Sequence, residues 1–287
     1  MTATNAEILS QPDVWRTAAT TPAPGLAAPG ERVLAVGCGT SAFVALAYAV
    51  LREQAGLGET DWGYGLEAPF TRPYDRVVVI SRSGTTTEVI DVLRALPDTT
   101  TVLITAVEDS PAGELADEVI VLGYADETSV VQTRFPTTVL TLIRAACGYD
   151  VEGSIVDGIA AVTEPGVDPR PYRHFVFLGT GWTVGLAHEA ALKIRESAQT
   201  WSESYPAMEY RHGPVAVATE QTLVWIFGPA PAGLVETVEA TGATVHTGTL
   251  DPLAELVLAQ RLAVDLATHR GLDPDHPRAL SRSIILS

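Results

Sequence analysis

Hydrophobic positions in this chain follow two spacings that alternate. Short unbroken runs of Val, Leu and Ile ("RVLAVG", "RVVVIS", "TTVLITAV", "DEVIVLG") are separated by longer stretches with apolar residues at helical spacing ("SAFVALAYAVLREQ", "TTEVIDVLRAL", "PTTVLTLIRAACGY"). Unbroken runs bounded by Gly and Ser predict strands buried on both faces, hence a parallel sheet covered by helices. "YGLEAP" predicts one more short strand, and "SPAGELA" the start of a short helix. Residues 1–30 read as a lead-in: a short amphipathic helix in "AEILSQPDVWRTAA", then the Pro/Gly linker "TTPAPGLAAPGE". Residues 31–152 form a first unit. "DGIAAVTEPGVDP" breaks the pattern with Gly and Pro. It then restarts over 165–287 with "RHFVFLG", "TVGLAHEAALKIRESAQTW", "TLVWIFG", "AGLVETVEATG", "TVHTGTL" and "DPLAELVLAQRLAVDLATHRG", followed by a tail. The openings "RVLAVGCGTS" and "RHFVFLGTGW" resemble each other. The expected fold is therefore α/β, with two tandem, doubly wound parallel-sheet units and helices on both faces.

Composition narrows the classes. The 287 residues are 46% hydrophobic and 18% charged, as in an ordinary globular protein. A net charge of -17 argues against nucleic acid and anionic membranes as partners. An anionic ligand remains possible where local Arg, Lys and backbone N–H groups hold it. Two cysteines, Cys38 and Cys147, make neither a disulfide framework nor a zinc cluster. With no basic segment leading into an apolar run at the N-terminus, the expectation is a cytoplasmic chain. Residues 33–51 carry no charge and match a membrane span in length, but "GCGTS" divides them into strand, turn and buried helix.

Two glycine-containing turns carry candidate chemistry. "VLAVGCGTS" holds half of a dinucleotide fingerprint, with Ala42 where the third Gly belongs, and no G-x-x-x-x-G-K-[ST] loop occurs. No cofactor is expected. "SRSGTTTEV", residues 81–89, places five hydroxyl side chains, one Gly and one Arg directly after a buried strand. N-capping explains one or two of those hydroxyls. A phosphate explains the set, because free N–H groups and the dipole at a helix N-terminus favour an anion and Ser81, Ser83 and Thr86 can each donate a proton to it.

In "HEAALKIRE", Glu189, Lys193 and Glu196 fall at i, i+4 and i+7, on one helix face. Surface Glu-to-Lys pairs account for such a pattern; so does an acid–base site. His212 sits in "RHGP", a turn suited to a proton shuttle. His174, His188, His246, His269 and His276 show no metal-ligand spacing, so no metal is expected.

Together, "VGCGTSAFVA", "VISRSGTTTEVIDVL" and "ALKIRESAQTWSESYPAMEYRHGP" resemble the sugar isomerase (SIS) family, in particular the isomerase half of glucosamine-6-phosphate synthase and the ketosamine-6-phosphate deaminase/isomerases. Trp15 in the lead-in leans toward the second group. The resemblance implies two flavodoxin-like SIS units, a sugar phosphate as the small-molecule partner, and a homodimer with sites shared across the interface. It implies phosphate contacts from Ser41, Ser81, Ser83 and Thr86, with Arg82 in place of a Gln common in the synthase. Val130 and Gln132 of "ETSVVQTRFPTT" would line the sugar. Glu196 would be the base that moves a proton between carbons 1 and 2. Lys193 would stabilise developing negative charge, and Glu189 would orient the sugar or Lys193. His212 would open the sugar ring, reaching the site from the partner subunit. Nothing in the sequence resembles the glutaminase half, so the chain is not expected to release ammonia from glutamine by itself.

One departure bears on mechanism. In "PRALSRSI", Arg282 stands where the synthase carries the Lys that forms a Schiff base with the open sugar. A guanidinium stays protonated and is a poor amine nucleophile. Arg282 could instead polarise the carbonyl or grip the phosphate. The expected activity is deaminase/isomerase of a 6-phosphorylated amino sugar. Aldose–ketose isomerisation or dehydration of a related (N-acetyl)amino sugar phosphate is the alternative, and a catalytically silent phosphosugar sensor is the reading from another class.

Overall fold

A computed structural model describes residues 2–26 and 28–286. It contains two compact units. The first comprises residues 13–128, 134–151 and 281–286, and the second residues 2–12, 129–133 and 152–280. The chain thus divides differently from a lead-in followed by two successive halves. Residues 2–12 and 129–133 group with the second unit, and the segment after Leu280 groups with the first.

Two helices open the chain, α1 (Ala3–Leu9) and α2 (Gln11–Thr20). Trp15 on α2 is fully buried and donates its indole N–H to Thr137 Oγ1 at 3.0 Å. The first unit then runs β1 (Val33–Gly37), α3 (Thr40–Gln54), β2 (Thr60–Tyr64), β3 (Arg76–Ile80), α4 (Thr87–Arg94), β4 (Thr100–Thr105), β5 (Glu118–Val121) and α5 (Arg134–Ala146). Its sheet has the order β2-β1-β3-β4-β5, and every pair is parallel. All five residues of β1 are buried, as an unbroken apolar run in a covered parallel sheet requires.

The second unit runs α6 (Glu152–Thr163), β6 (His174–Gly179), α7 (Thr183–Ala198), β7 (Ser202–Pro206), β8 (Thr222–Ile226), α8 (Leu234–Glu239), β9 (Thr244–Thr247) and α9 (Pro252–His269). Its order is β7-β6-β8-β9, again all parallel. The α/β fold with two doubly wound sheets is as the sequence pattern implied. Residues 33–51 form strand, turn and helix, and no helix among the described residues is long and apolar enough to cross a membrane.

Four local expectations are corrected. The strand near "YGLEAP" lies earlier, at Thr60–Tyr64, and Gly65 (φ +35°) turns the chain into a single 3-10 turn. "SPAGELA" forms successive turns rather than a helix, because Ser110 Oγ takes the Gly113 N–H and Gly84 O takes that of Ala112. "DGIAAVT" belongs to α6, whose Gly158 is buried on a helix that packs against α9. The polar strand β7 went unpredicted, as its "SESYP" lacks the apolar run of a central strand and it lies at a sheet edge.

Both sheets reverse direction beside their first strand, so in each unit the crevice for a ligand lies at the carboxyl ends of that strand and its later neighbour. Glycine makes the tight turns there. A Cβ on Gly37 would lie 2.5 Å from Ser41 C, and one on Gly179 2.2 Å from Thr183 O.

Candidate functional site

In the first unit, the carboxyl ends of β1 and β3 deliver the "GCGTS" turn and the 81–87 loop. Ser41 (4% exposed), Ser81 (4%) and Ser83 (7%) are buried there. Gly84 (φ +62°) bends the loop where a Cβ would strike Ser110 Oγ at 2.2 Å. The Gly84 N–H donates to Ser81 Oγ at 3.2 Å, and the Thr85 N–H to Ser83 Oγ at 3.2 Å. Both serine hydroxyls therefore accept from backbone and keep their own protons for donation. Thr86 is the N-cap of α4, yet its side chain makes no capping bond, so its hydroxyl is not committed to the helix end.

Arg82 takes another course. It is 2% exposed and pairs with the buried Glu127 at 3.4 Å. Burial pulls its guanidinium below the ordinary arginine value, with Glu127 opposing that effect. Its Nη2 donates to the Arg282 carbonyl oxygen at 3.3 Å. Arg282 itself is engaged by Asp126 Oδ1 and by the Glu127 carbonyl oxygen.

In the second unit, α7 starts after the Gly179 turn and carries Glu189, Lys193 and Glu196 on one face. The helix face is not a solvated one. Lys193 is 1% exposed and Glu189 3%. Lys193 Nζ lies 2.6 Å from Glu196 Oε2 and 3.2 Å from Glu189 Oε1. Burial disfavours the ammonium, but the two carboxylates outweigh it and leave its pKa raised. Two charged groups held out of water beside a partly exposed third are costly unless something besides packing keeps them, which makes the cluster a functional-site candidate. Lys193 is also the only lysine in the sequence, among seventeen arginines, a compositional signal that reading by motif passed over.

Glu196 opens into a cleft of about 390 Å³, walled by Arg195, Gln199, Trp201, Arg278 and Leu280 among others. Trp201 is 72% exposed. The only two described non-glycine residues with positive φ, Gln199 (49°) and Ala279 (61°), lie at or beside its walls. Sparse backbone conformations of this kind persist where the surroundings fix them, often at functional sites. Arg195, Trp201 and Arg278 were not singled out in the sequence. Trp201 is the one that side-chain chemistry flags, a large aromatic directly after a charged helix.

His212 is exposed, follows the Glu209–Arg211 3-10 turn, and is not among the cleft walls. Val130 and Gln132 are half-buried in the 129–133 segment, where Gln132 Oε1 is buried with no hydrogen-bond partner among the described residues. His188, His246 and His276, which have no assigned role, pair locally with Ser204 at 2.8 Å, Glu255 at 3.1 Å and Asp273 at 2.8 Å. No group of three potential metal ligands occurs among the described residues.

No family model matches the chain. It is similar to glutamine–fructose-6-phosphate aminotransferase (isomerizing) of Xylella fastidiosa, 28% identical over 315 residues, covering 89% of this chain and 51% of that protein. The corresponding aminotransferase of Pyrobaculum aerophilum is 28% identical over 261 residues, covering 73% of this chain and 43% of that one. The chain thus spans about half the length of the curated relatives it matches. Among solved structures, glucosamine-6-phosphate deaminase from Thermotoga maritima superposes with a TM-score of 0.83 at 27% identity, covering 99% of this chain and 100% of that one. The C-terminal domain of glucosamine-fructose-6-phosphate aminotransferase from Francisella tularensis shares the fold, with a TM-score of 0.80 at 21% identity over 96% of this chain and 98% of that one. The resemblance to the sugar isomerase family is borne out.

Proposed function

We propose that this chain is a phosphosugar enzyme of the sugar isomerase type, and that it acts as deaminase/isomerase on a 6-phosphorylated 2-amino sugar. The observation that carries this reading is the buried Glu189–Lys193–Glu196 cluster with its one outlet at Glu196 into a cleft. The likeness to a glucosamine-6-phosphate deaminase over nearly the full length of both chains supports the choice of substrate class.

In this reading the 81–87 loop holds the phosphate through Ser81, Ser83 and Thr86, with Ser41 beside it. Glu196 takes the proton from carbon 2 of the open-chain amino aldose and returns it to carbon 1. Lys193 offsets the charge that develops between these steps, and Glu189 keeps Lys193 protonated and oriented. The product imine at carbon 2 adds water and releases ammonia, leaving a ketose phosphate. No imine to the protein is needed. The sole lysine is buried and held as an ammonium, and an ammonium has no lone pair for attack. His212 is assigned ring opening, supplied by the second copy of a homodimer; its exposure suits that role.

The test is an ammonia-coupled assay with glucosamine-6-phosphate and galactosamine-6-phosphate, with ketose phosphate measured in parallel. Equal amounts of ammonia and ketose phosphate are expected. Ketose phosphate without ammonia from an unaminated aldose phosphate would replace the reading with plain isomerisation. Tight binding with no turnover of any of these would leave a sensor.

A further inference from the structure

Residues 129–133 group with α1 and α9, and both helices pin them. Burial alternates along the segment. Ser129, Val131 and Thr133 are buried, while Val130 and Gln132 are half-buried. That is the pattern of extended chain with one side turned inward. At one end the Ser129 N–H donates to Glu7 Oε1 of α1 at 3.3 Å, and the Ser129 hydroxyl lies against Glu7 Oε2 and the Val131 carbonyl oxygen. At the other end Gln260 Nε2 of α9 donates to the Thr133 carbonyl oxygen at 3.1 Å, and Gln260 Oε1 accepts from Gln11 Nε2 at 2.7 Å. Glu7, Gln11 and Gln260 are all buried. The start of α1 is held in turn by Asp275, which accepts from the Ala3 and Thr4 N–H groups at 2.6 and 2.8 Å.

Apolar contacts alone would anchor such a segment. Buried polar pins also fix its register. Because side chains alternate, a slip of one residue would strip Glu7 and Gln260 of their partners and exchange the two sides. Gln132 differs from the pinned residues on either side of it. Its Oε1 is shielded from water with no hydrogen-bond partner among the described residues, although the residue as a whole is only half-buried. A shielded acceptor without a donor is costly, and a donor brought by a ligand removes that cost.

We propose that Glu7 and Gln260 are positioning residues for sugar recognition: by pinning Ser129 and Thr133 they hold Gln132 on the side away from the pins, where its amide oxygen accepts from a hydroxyl or ammonium group on the carbohydrate part of a sugar phosphate. The inference rests on the phosphosugar reading and deepens it. Helices α1 and α9 supply no wall of the Glu196 cleft, and their part is to set the residue that reads the sugar.

The test compares Gln132→Leu, Glu7→Ala, Glu7→Gln and the double variant Glu7→Ala with Gln132→Leu against the wild-type chain. Affinities for glucosamine-6-phosphate, galactosamine-6-phosphate and inorganic phosphate are measured by titration, with kcat alongside. Gln132→Leu should weaken the better-bound amino sugar phosphate about 10-fold, the scale of one hydrogen bond. Inorganic phosphate affinity and kcat should stay near wild type. Glu7→Ala should reproduce that loss, and Glu7→Gln, whose amide oxygen can still accept from Ser129, should recover most of it. In the double variant the second substitution should add nothing, because Glu7 acts through Gln132. Additive losses would make Glu7 a general structural residue and overturn the proposal. Unchanged sugar phosphate affinity in Gln132→Leu, or equal weakening of inorganic phosphate, would overturn it as well. Amide hydrogen exchange separates the pin from the function. In Glu7→Ala, exchange at 129–133 should quicken without any ligand. Unchanged exchange removes the pin whatever binds. Quickened exchange in a protein whose wild type binds neither amino sugar phosphate removes the phosphosugar reading, and with it the ligand assigned to Gln132, while the pin stands.

Discussion

The two units repeat one frame and differ in what they hang on it. Around the first strand the orders correspond, β2-β1-β3-β4 in one and β7-β6-β8-β9 in the other. The turns correspond too, since Gly37 meets Ser41 as Gly179 meets Thr183. Aligned on those turns, Ala47, Leu51 and Gln54 of α3 stand where Glu189, Lys193 and Glu196 stand in α7. Ala47 and Leu51 are as buried as their charged counterparts. The frame therefore accepts plain hydrocarbon at these positions, and packing does not call for the ion cluster in α7. The loops after β3 and β8 invert the contrast. Residues 81–87 carry five hydroxyls, and residues 227–233, "FGPAPAG", carry none. The units thus differ by substitutions on a shared fold, hydroxyls in one unit and buried charge in the other.

The largest effect that can break this comparison is at Glu196. Glu196→Gln keeps the shape of the side chain and removes its basicity. Turnover should fall by about 10²–10⁴-fold, the usual range for a general base, while phosphosugar affinity stays near wild type. Retained turnover would mean that α7, like α3, is only scaffold.

Stability gives the next test. Lys193→Met leaves Glu189 and Glu196 without their cation and should cost about 3–5 kcal/mol, as in other buried pairs stripped of one partner. Leu51→Met at the matching place in α3 conserves volume and should cost less than about 1.5 kcal/mol. Denaturant midpoints would decide it, and equal losses would show the cluster to be ordinary core. The pH dependence has a definite sign. The folded Lys193 pKa lies above its ordinary 10.5, so its contribution is complete below that pH and is lost as pH rises through the folded value. The stability gap between wild type and Lys193→Met should therefore narrow on the alkaline side.

The 81–87 loop comes third. Ser83→Ala combined with Thr86→Ala should weaken phosphorylated ligands about 10- to 100-fold, one or two hydrogen bonds to a charged group. Unphosphorylated sugars should be little affected. Equal weakening of both would indicate a collapsed loop rather than a lost anion site.

What could be read in advance follows the physics of each signal. Central strands announced themselves because a covered parallel sheet needs unbroken apolar runs. The edge strand β7 did not, since an edge tolerates the polar "SESYP". The hydroxyl loop was legible because its residues are consecutive, and the charged face of α7 because helical spacing is regular. Whether that face was buried could not be read, as "HEAALKIRE" suits water equally well; only the core around it settles the matter. Arg282 shows the same limit more sharply. Its partner Asp126 lies far away in sequence, and no periodicity links them, so their ion pair could not be read in advance.

The smallest effect tests the other side of the comparison. If the 227–233 loop is only a turn, Pro229→Ala with Pro231→Ala should leave phosphosugar affinity within about two-fold, since neither residue brings a donor to the loop. The cost should be confined to stability, up to about 1 kcal/mol for each proline from the added freedom of the unfolded chain. The pairing of readouts matters, because a ten-fold loss of affinity at unchanged stability would mean that the proline-rich loop takes part in binding. The division between a hydroxyl-bearing unit and a charge-bearing unit would then have to be redrawn around both crevices.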